Sequence, residues 1–220
     1  MAEYEKSKVS KQHILNTARR LFWEKGYIAT RFDDFTAEGG INRGLIHYYF
    51  KSKETLGWMV YRQIIQETYQ LTTELLDGED DPALHFVLGT KLCWKWIDTS
   101  PEYARFVHEA ALNRILMQAA EEDIIYNLSE LTKQFVDKRR MIIFNRLCIA
   151  VENELILSLT ENLADITAEE CAVMDIQNVF HILDLGQDVL DASWTRADDI
   201  LSKYSFSVES PFNLICTKNS

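Results

Sequence analysis

The fold of this chain is decided by the stretch Asn42-Arg-Gly-Leu-Ile-His-Tyr-Tyr-Phe-Lys-Ser-Lys53. Its apolar residues Leu45, Ile46 and Phe50 recur at helical spacing and predict one buried stripe. The other positions are cationic or aromatic: Arg43, His47, Tyr48, Tyr49, Lys51 and Lys53. Arg and Lys neutralise phosphate, and Tyr and His donate hydrogen bonds, so this surface suits contact with nucleic acid. The alternative is a solvated helix whose tyrosines only pack against their neighbours.

Two helices are predicted before this stretch. The first helix is expected to be capped at its start by Ser10, to carry apolar residues three and four apart, and to end at Gly26. The second is expected to be capped by Thr30 and to be broken by Gly39 and Gly40. Asn42 is then expected to cap the third helix. This order is typical of a helix-turn-helix with a supporting helix, in which the last helix lies in the major groove.

The order and spacing of three sequence blocks resemble the DNA-binding domain of the TetR (tetracycline-repressor-like) transcriptional regulators. They are Ile14-Leu-Asn-Thr-Ala-Arg-Arg-Leu-Phe-Trp-Glu-Lys-Gly-Tyr-Ile-Ala-Thr30, Glu38-Gly-Gly-Ile-Asn-Arg-Gly44 and Tyr48-Tyr-Phe-Lys-Ser-Lys-Glu-Thr-Leu56. The resemblance implies an all-helical homodimer that binds a palindromic operator. It also implies a small-molecule ligand, bound in the C-terminal domain, that usually releases the protein from DNA.

The resemblance also implies which residues contact DNA. Thr30 and Lys53 match phosphate-contacting positions, while Arg43 and Gly44 match the start of the recognition helix. The chain departs from the family pattern where His47 now precedes its two tyrosines, so Tyr49 is alternatively a core residue. The candidate DNA-binding residues are Thr30, Arg31, Asn42, Arg43, Gly44, His47, Tyr48, Tyr49 and Lys53.

Charge is divided unevenly along the chain. The whole chain has 220 residues and a net charge of −11. Residues 1–56 carry ten Lys or Arg and seven Asp or Glu. The remainder is strongly acidic, so one basic end is expected to contact a polyanion. No apolar run approaches the roughly 20 residues of a membrane span, and the N-terminus lacks a signal-peptide core. We therefore expect a cytoplasmic protein that has no membrane contact.

Residues 1–54 are predicted to form the DNA-binding domain, and 55–220 a larger helical domain for ligand binding and dimerisation. The fold class is all-α, because eight glycines and three prolines leave long helical stretches uninterrupted. Candidate pocket residues combine apolar bulk with isolated polar tips: Trp94, Phe106, His108, Asn113, Met117 and Tyr126. Ordinary core packing is the alternative for each. A heptad-like seam predicts the dimer contact: Val173, Ile176, Phe180, Leu183 and Leu190. Residues 205–220 are expected to be a loosely ordered tail, and docking of Phe212, Leu214 and Ile215 is the alternative.

These patterns predict a sequence-specific DNA-binding regulator, most simply a ligand-released repressor that binds a palindromic operator as a homodimer. The alternative is a helical ligand-binding or interaction protein that recognises no operator. An enzyme is not expected, because the five histidines form no His-x-x-x-His pair and no phosphate-binding loop or nucleophile elbow is present. The sequence leaves open whether folding brings together an acid–base pair that could act in catalysis. The four cysteines form no metal-type pair, so we expect no metal and no cofactor.

Overall fold

The computed structural model describes residues 2–115 and 138–219, and within them the expected all-α fold is confirmed, with one small hairpin added. The helices of the N-terminal part are α1 (Ala2–Lys25), α2 (Phe32–Gly39) and α3 (Arg43–Phe50). The helices that follow are α4 (Lys53–Leu75), α5 (Pro82–Thr99), α6 (Pro101–Leu112), α7 (Lys138–Thr160), α8 (Ala168–Ile182) and α9 (Gln187–Leu201). A 3-10 turn spans Leu163–Asp165, and the chain closes with β1 (Tyr204–Glu209) and β2 (Asn213–Lys218).

Helices α1 to α3 form the N-terminal head, and the sequence predicted their order but not all their ends. α1 begins at Ala2, so the prediction that Ser10 caps it is wrong. The prediction that Thr30 caps α2 is also wrong, because Arg31 is the N-cap residue and its backbone N–H donates to Asp34 at 2.6 Å. Gly40 ends α2 in a left-handed conformation with φ of 62°, which glycine adopts without a steric penalty.

The start of α3 follows from its capping residue. The Asn42 side-chain oxygen accepts a hydrogen bond from the Leu45 backbone N–H at 2.8 Å, so the prediction of this cap is confirmed. Ile46 and Phe50 are buried against α1 and α2, which turns the other side of α3 to solvent. Ser52 caps α4 in the same way, through the Thr55 N–H at 3.1 Å.

Helix α5 is the centre of the body. It contacts α4, α6, α8, α9 and β1, and most of its side chains are buried, as expected for a helix that is apolar on nearly all sides. Asp81 caps it and Pro82 occupies its first turn, where the missing N–H of proline costs no hydrogen bond. None of the helices in the described ranges combines the length and apolar content that crossing a membrane requires.

The seam that the sequence assigned to a dimer partner lies inside the protomer. Four of its residues are buried in the core beneath α8 and α9: Ile176, Phe180, Leu183 and Leu190. The Phe180 ring lies 6.4 Å from that of Phe86 on α5, and Val173 is only partly exposed. Because α8 and α9 pack on α5, this protomer covers its own apolar stripe. These four predicted interface residues are therefore corrected to core residues, and the interface role of Val173 stays a prediction.

The C-terminal residues fold into a hairpin, so the prediction of a loosely ordered tail is wrong and the alternative that Phe212 docks is confirmed. β1 and β2 pair antiparallel from Tyr204↔Lys218 to Glu209↔Asn213. At the tip, Phe212 is fully buried, with its ring 5.0 Å from Trp23 on α1 and 5.0 Å from Phe106 on α6. The hairpin tip thereby joins the head to the body.

An arginine on α1 secures the same junction. Arg19 donates two hydrogen bonds to the Glu67 carboxylate, at 2.5 and 2.6 Å, and further ones to the carbonyls of Pro211, at 2.7 Å, and of Phe212. Its side chain is almost wholly buried. One guanidinium therefore ties α1 to both α4 and the hairpin tip.

Candidate nucleic-acid interface

The exposed face of α3 gathers most of the predicted DNA-binding residues. Ile46 and Phe50 fix the helix on the head, and Lys11 of α1 lies 5.8 Å from the Phe50 ring centre. The side chains that remain exposed form one continuous surface at the start and middle of the helix: Asn42, Arg43, Gly44, His47 and Tyr48. We call these five residues the α3 face.

Arg43 is held in place by two neighbours. Its Nε donates to His47 Nε2 at 3.2 Å, and its guanidinium lies 4.9 Å from the Phe32 ring centre. His47 Nδ1 in turn bonds the Lys51 carbonyl at 2.8 Å. A carbonyl only accepts, so Nδ1 carries the proton and Nε2 offers the lone pair to Arg43. Among the described residues only Nε of Arg43 makes a hydrogen bond, so the donors of its two terminal nitrogens stay available.

Phe32 was not among the predicted site residues. It lies at the start of α2, with its ring 5.2 Å from the His47 ring and beneath the Arg43 guanidinium. An aromatic residue that is only partly buried at a helix start is the signal that could have found it. Its cation–π contact stabilises the outward position of Arg43.

The two tyrosines of α3 have different surroundings. Tyr48 is 77% exposed, while Tyr49 is partly buried and packs against the core of the head. Their rings meet edge to face at 5.0 Å. Tyr48 is thus free to reach a ligand, and Tyr49 supports it from below, in agreement with the alternative that Tyr49 is a core residue.

Thr30 is turned into the protein interior. It is 1% exposed, and its Oγ1 donates to the Gly26 carbonyl at 2.6 Å. The sequence assigned this residue a phosphate contact, but here its hydroxyl closes the turn between α1 and α2. The neighbouring Arg31 is exposed at the N-terminus of α2.

Lys53 also lies apart from the α3 face. Its Nζ donates to the Ile28 carbonyl at 3.2 Å and sits 4.5 Å from the Tyr27 ring centre. Partial burial lowers its pKa below the usual value for lysine. To bind a phosphate, this amine would have to leave the Ile28 carbonyl, so its predicted role requires a rearrangement.

Ion pairs between α1 and α2 brace the head. Lys25 bonds Asp34 at 2.8 Å and Glu38 at 2.6 Å, and Arg20 bonds Glu38 at 2.6 Å. Hydrogen bonds from Lys25 and then Arg20 hold the pKa of Glu38 below its usual value. Asp34 and Glu38 are therefore neutralised locally by Lys25 and Arg20.

Each of the four predicted pocket residues that the structure describes has a partner of its own. Trp94 is buried and its Nε1 donates to Asp175 at 3.1 Å, while His108 Nδ1 bonds Thr160 Oγ1 at 2.8 Å. Phe106 is a core residue stacked on Phe22 at 5.8 Å. Asn113 is exposed at the end of α6, where its Nδ2 donates to the Glu109 carbonyl, so it is corrected to a helix-terminal residue.

Two further pocket candidates, Met117 and Tyr126, lie outside the described residues. Within residues 2–115 and 138–219, no group of three or more His, Cys, Asp or Glu side chains is arranged to hold a metal ion.

Comparison with known proteins agrees with this geometry. Residues 14–56 match the family model described as bacterial regulatory proteins, tetR family, so the resemblance predicted from the sequence is confirmed. The Transposon Tn10 TetC protein of Escherichia coli is 34% identical over 79 residues, which are 34% of this chain and 40% of that protein. The HTH-type transcriptional repressor DhaR of Mycobacterium sp. (strain GP1) is 25% identical over 74 residues, 34% of this chain and 37% of the relative. The chain thus spans less than half the length of these curated relatives.

Solved structures extend the likeness to the body. A TetR-family transcriptional regulator from Pectobacterium atrosepticum has a TM-score of 0.50 at 20% identity, covering 81% of this chain and 94% of that one. RolR in complex with the ligand resorcinol has a TM-score of 0.53 at 18% identity, covering 91% and 96%. At these identities the likeness shows the fold alone.

Proposed function

We propose that this chain is a sequence-specific DNA-binding transcriptional regulator, because its residues 14–56 match the family model of bacterial regulatory proteins, tetR family. The observation that carries the proposal is the α3 face, an exposed cationic and aromatic helix surface on a head that carries a net positive charge. The acidic body lowers affinity for DNA in general, so binding depends on what α3 recognises.

Arg43 is the residue best placed to read a base. Its terminal nitrogens are unspent, and a guanidinium of this kind bonds the O6 and N7 atoms of guanine in the major groove. Phe32 and His47 hold the side chain, so less conformational entropy is lost on binding. Tyr48 and Arg31 would then contact the phosphate backbone on either side of the groove.

We propose further that the protein acts as a homodimer on a palindromic operator. α7 and α8 carry large apolar side chains that are exposed in the protomer: Ile142, Ile143, Leu147 and Met174. A second copy would bury them, and its head would meet a second half-site about one helical turn, or a multiple of it, away. This surface replaces the seam of α8 and α9 that the protomer itself covers.

The regulatory step that we propose is release from DNA by a small ligand. A ligand that binds better to the conformation with wrongly spaced heads lowers operator affinity by its differential binding energy. DhaR is named as a repressor and RolR has been solved with resorcinol, which supports repression and ligand control by analogy. Arg19 and Phe212 join head and body, so a change in the body has a route to the head.

The alternative function is a helical ligand-binding or interaction protein without an operator. The positions of Thr30 and Lys53 favour it, because both residues are used internally in place of the two expected phosphate contacts.

Selection of bound sequences from random DNA, with the full chain, tests the proposal. We expect enrichment of a palindrome. Arg43→Ala should lose preference at one position of each half-site by about 1–3 kcal/mol, roughly 5- to 150-fold. Lys203→Ala, which removes an exposed lysine after α9, should leave the selected sequence unchanged. Failure of the wild-type protein to enrich any sequence would favour the alternative function.

A further inference from the structure

Two carboxylates lie inside the body, on facing helices. Glu152 of α7 accepts a hydrogen bond from the Tyr61 hydroxyl at 3.0 Å. Asp175 of α8 is 8% exposed and accepts from the Trp94 indole N–H at 3.1 Å. Burial raises the pKa of both groups, and with the charge of Glu152 it raises the pKa of Asp175 to about 8. The hydrogen bonds from Tyr61 and Trp94 thus hold both carboxylates in the interior of the body, where α7 packs on α8.

Neither carboxylate is paired with a positive charge among the residues that the structure describes. Their hydrogen-bond donors, Tyr61 and Trp94, are neutral. Lys91 lies on α5, the helix that carries Trp94, but its amine forms salt bridges with Glu169 at 2.8 Å and with Asp198 at 2.7 Å. Two buried carboxylates without a cation repel each other and are costly to ionise.

Unpartnered polar atoms flank this pair. Asn145 is 8% exposed, and its Oδ1 accepts no hydrogen bond. It lies on the face of α7 that carries Cys148 and Glu152, at positions i, i+3 and i+7. Trp58 is 2% exposed, its Nε1 donates to nothing, and its ring lies 5.9 Å from Tyr61. A buried polar atom without a partner loses its hydrogen bonds to water and gains none in return, so such atoms point to a ligand.

Cys148 shows that Asn145 belongs to the same interior region. It lies one turn after Asn145, is buried, and its pKa is raised to about 12 by burial and by the charges of Asp175 and Glu152. Asn145, Cys148 and Glu152 therefore lie on one side of α7, the helix that packs on α8. The region holds two acids, an orphan acceptor and three aromatic rings: Trp58, Tyr61 and Trp94.

We propose that Glu152 and Asp175 are the charge-recognising residues of a ligand site for a protonated organic amine with an aromatic or apolar body. This inference rests on the proposed ligand-responsive function and names the chemical class of its effector. The ammonium group removes the repulsion between the carboxylates, and the rings add cation–π attraction. Asn145 Oδ1 needs an N–H donor, so an amine that keeps an N–H is preferred to a quaternary ammonium.

The test is a binding comparison on the full chain, by isothermal titration and thermal shift. The probes are arylalkyl amines of graded size, each matched with the alcohol that replaces its amine, for example 2-phenylethylamine with 2-phenylethanol. We expect amines to bind at least tenfold more tightly than their alcohols. Glu152→Gln and Asp175→Asn, which preserve shape, should abolish the difference. Glu154→Gln, an exposed acid on the same helix, should keep it.

An equal affinity of wild-type protein for every amine and its alcohol would overturn the proposal, and this comparison needs no variant to fold. DNA binding is measured separately on the same preparation. Operator binding without a preference for amines would refute only the proposed amine site. A preference for amines without any enriched DNA sequence would refute only the proposed regulator function.

Discussion

Truncation of Phe212 to alanine is expected to weaken the packing between the head and the body and to lower the stability of the protein. The side chain is fully buried, and three rings from two helices surround it: Trp23 at 5.0 Å, Phe106 at 5.0 Å and Tyr103 at 6.2 Å. Removal of a buried phenylalanine costs about 3–5 kcal/mol, and the lost aromatic contacts place this site toward the upper end. For a chain of this size, a loss of about 4–5 kcal/mol lowers Tm by roughly 8–20 °C.

Urea denaturation followed by far-UV circular dichroism and by tryptophan fluorescence measures this change, since Trp23 lies at the perturbed junction. Thr217→Ala, at an exposed position of the same hairpin, is the matched control and should change stability by less than about 0.5 kcal/mol. A loss for Phe212→Ala as small as that of the control would refute the packing of the hairpin tip between α1 and α6.

Three further predictions concern the body. Because burial raises the pKa of Asp175 from 3.8 to about 8, its contribution to the stability of the wild-type protein is fully present below pH 4 and is lost as pH rises through about 8. Asp175→Asn should flatten this part of the stability profile, measured as urea midpoints at several pH values, and an unchanged slope would contradict the assignment. Gly89→Ala should destabilise the protein by about 1–3 kcal/mol in thermal melts, because a Cβ at this position would lie 2.3 Å from the Tyr69 ring. A gain in stability, as expected from the higher helix propensity of alanine alone, would show that α4 and α5 are farther apart than the structure has them. Lys91→Met should cost about 1–2 kcal/mol, since its amine lies 3.6 Å from the Trp194 ring centre and its two carboxylate partners stay solvated; sodium chloride at 1 M should shrink the loss only partly.

The head was largely predictable because local interactions specify it. Asn42 caps α3 through a bond to a backbone N–H three residues away, and Gly40 ends α2 because it adopts a positive φ. Such signals are complete within a few residues of sequence. The same local logic misplaced the cap of α2, because the hydroxyl of Thr30 found a partner in the preceding turn, at Gly26.

Side-chain direction was not predictable even inside the head. Arg43 and Lys53 look alike in the sequence, yet one faces solvent over Phe32 and the other packs on Tyr27. The choice depends on which ring and which free carbonyl the folded chain places nearby. A cationic residue in a motif therefore indicates only that a positive charge lies in this part of the head, and the folded head shows which charge is available to a ligand.

The sequence by itself determined the helical class, the order of the helices in the head and the resemblance of residues 14–56 to bacterial regulators, because periodicity and capping are local. The tertiary structure decided which surfaces those helices use. An apolar stripe such as that through Ile176 must be buried, but only packing shows that α5 covers it. Likewise, Glu152 and Asp175 share one interior region only after α7 and α8 pack, and the hairpin of β1 and β2 forms only by pairing across a turn and docking Phe212. Contacts between distant residues depend on the geometry of the whole chain, and no window of sequence contains them.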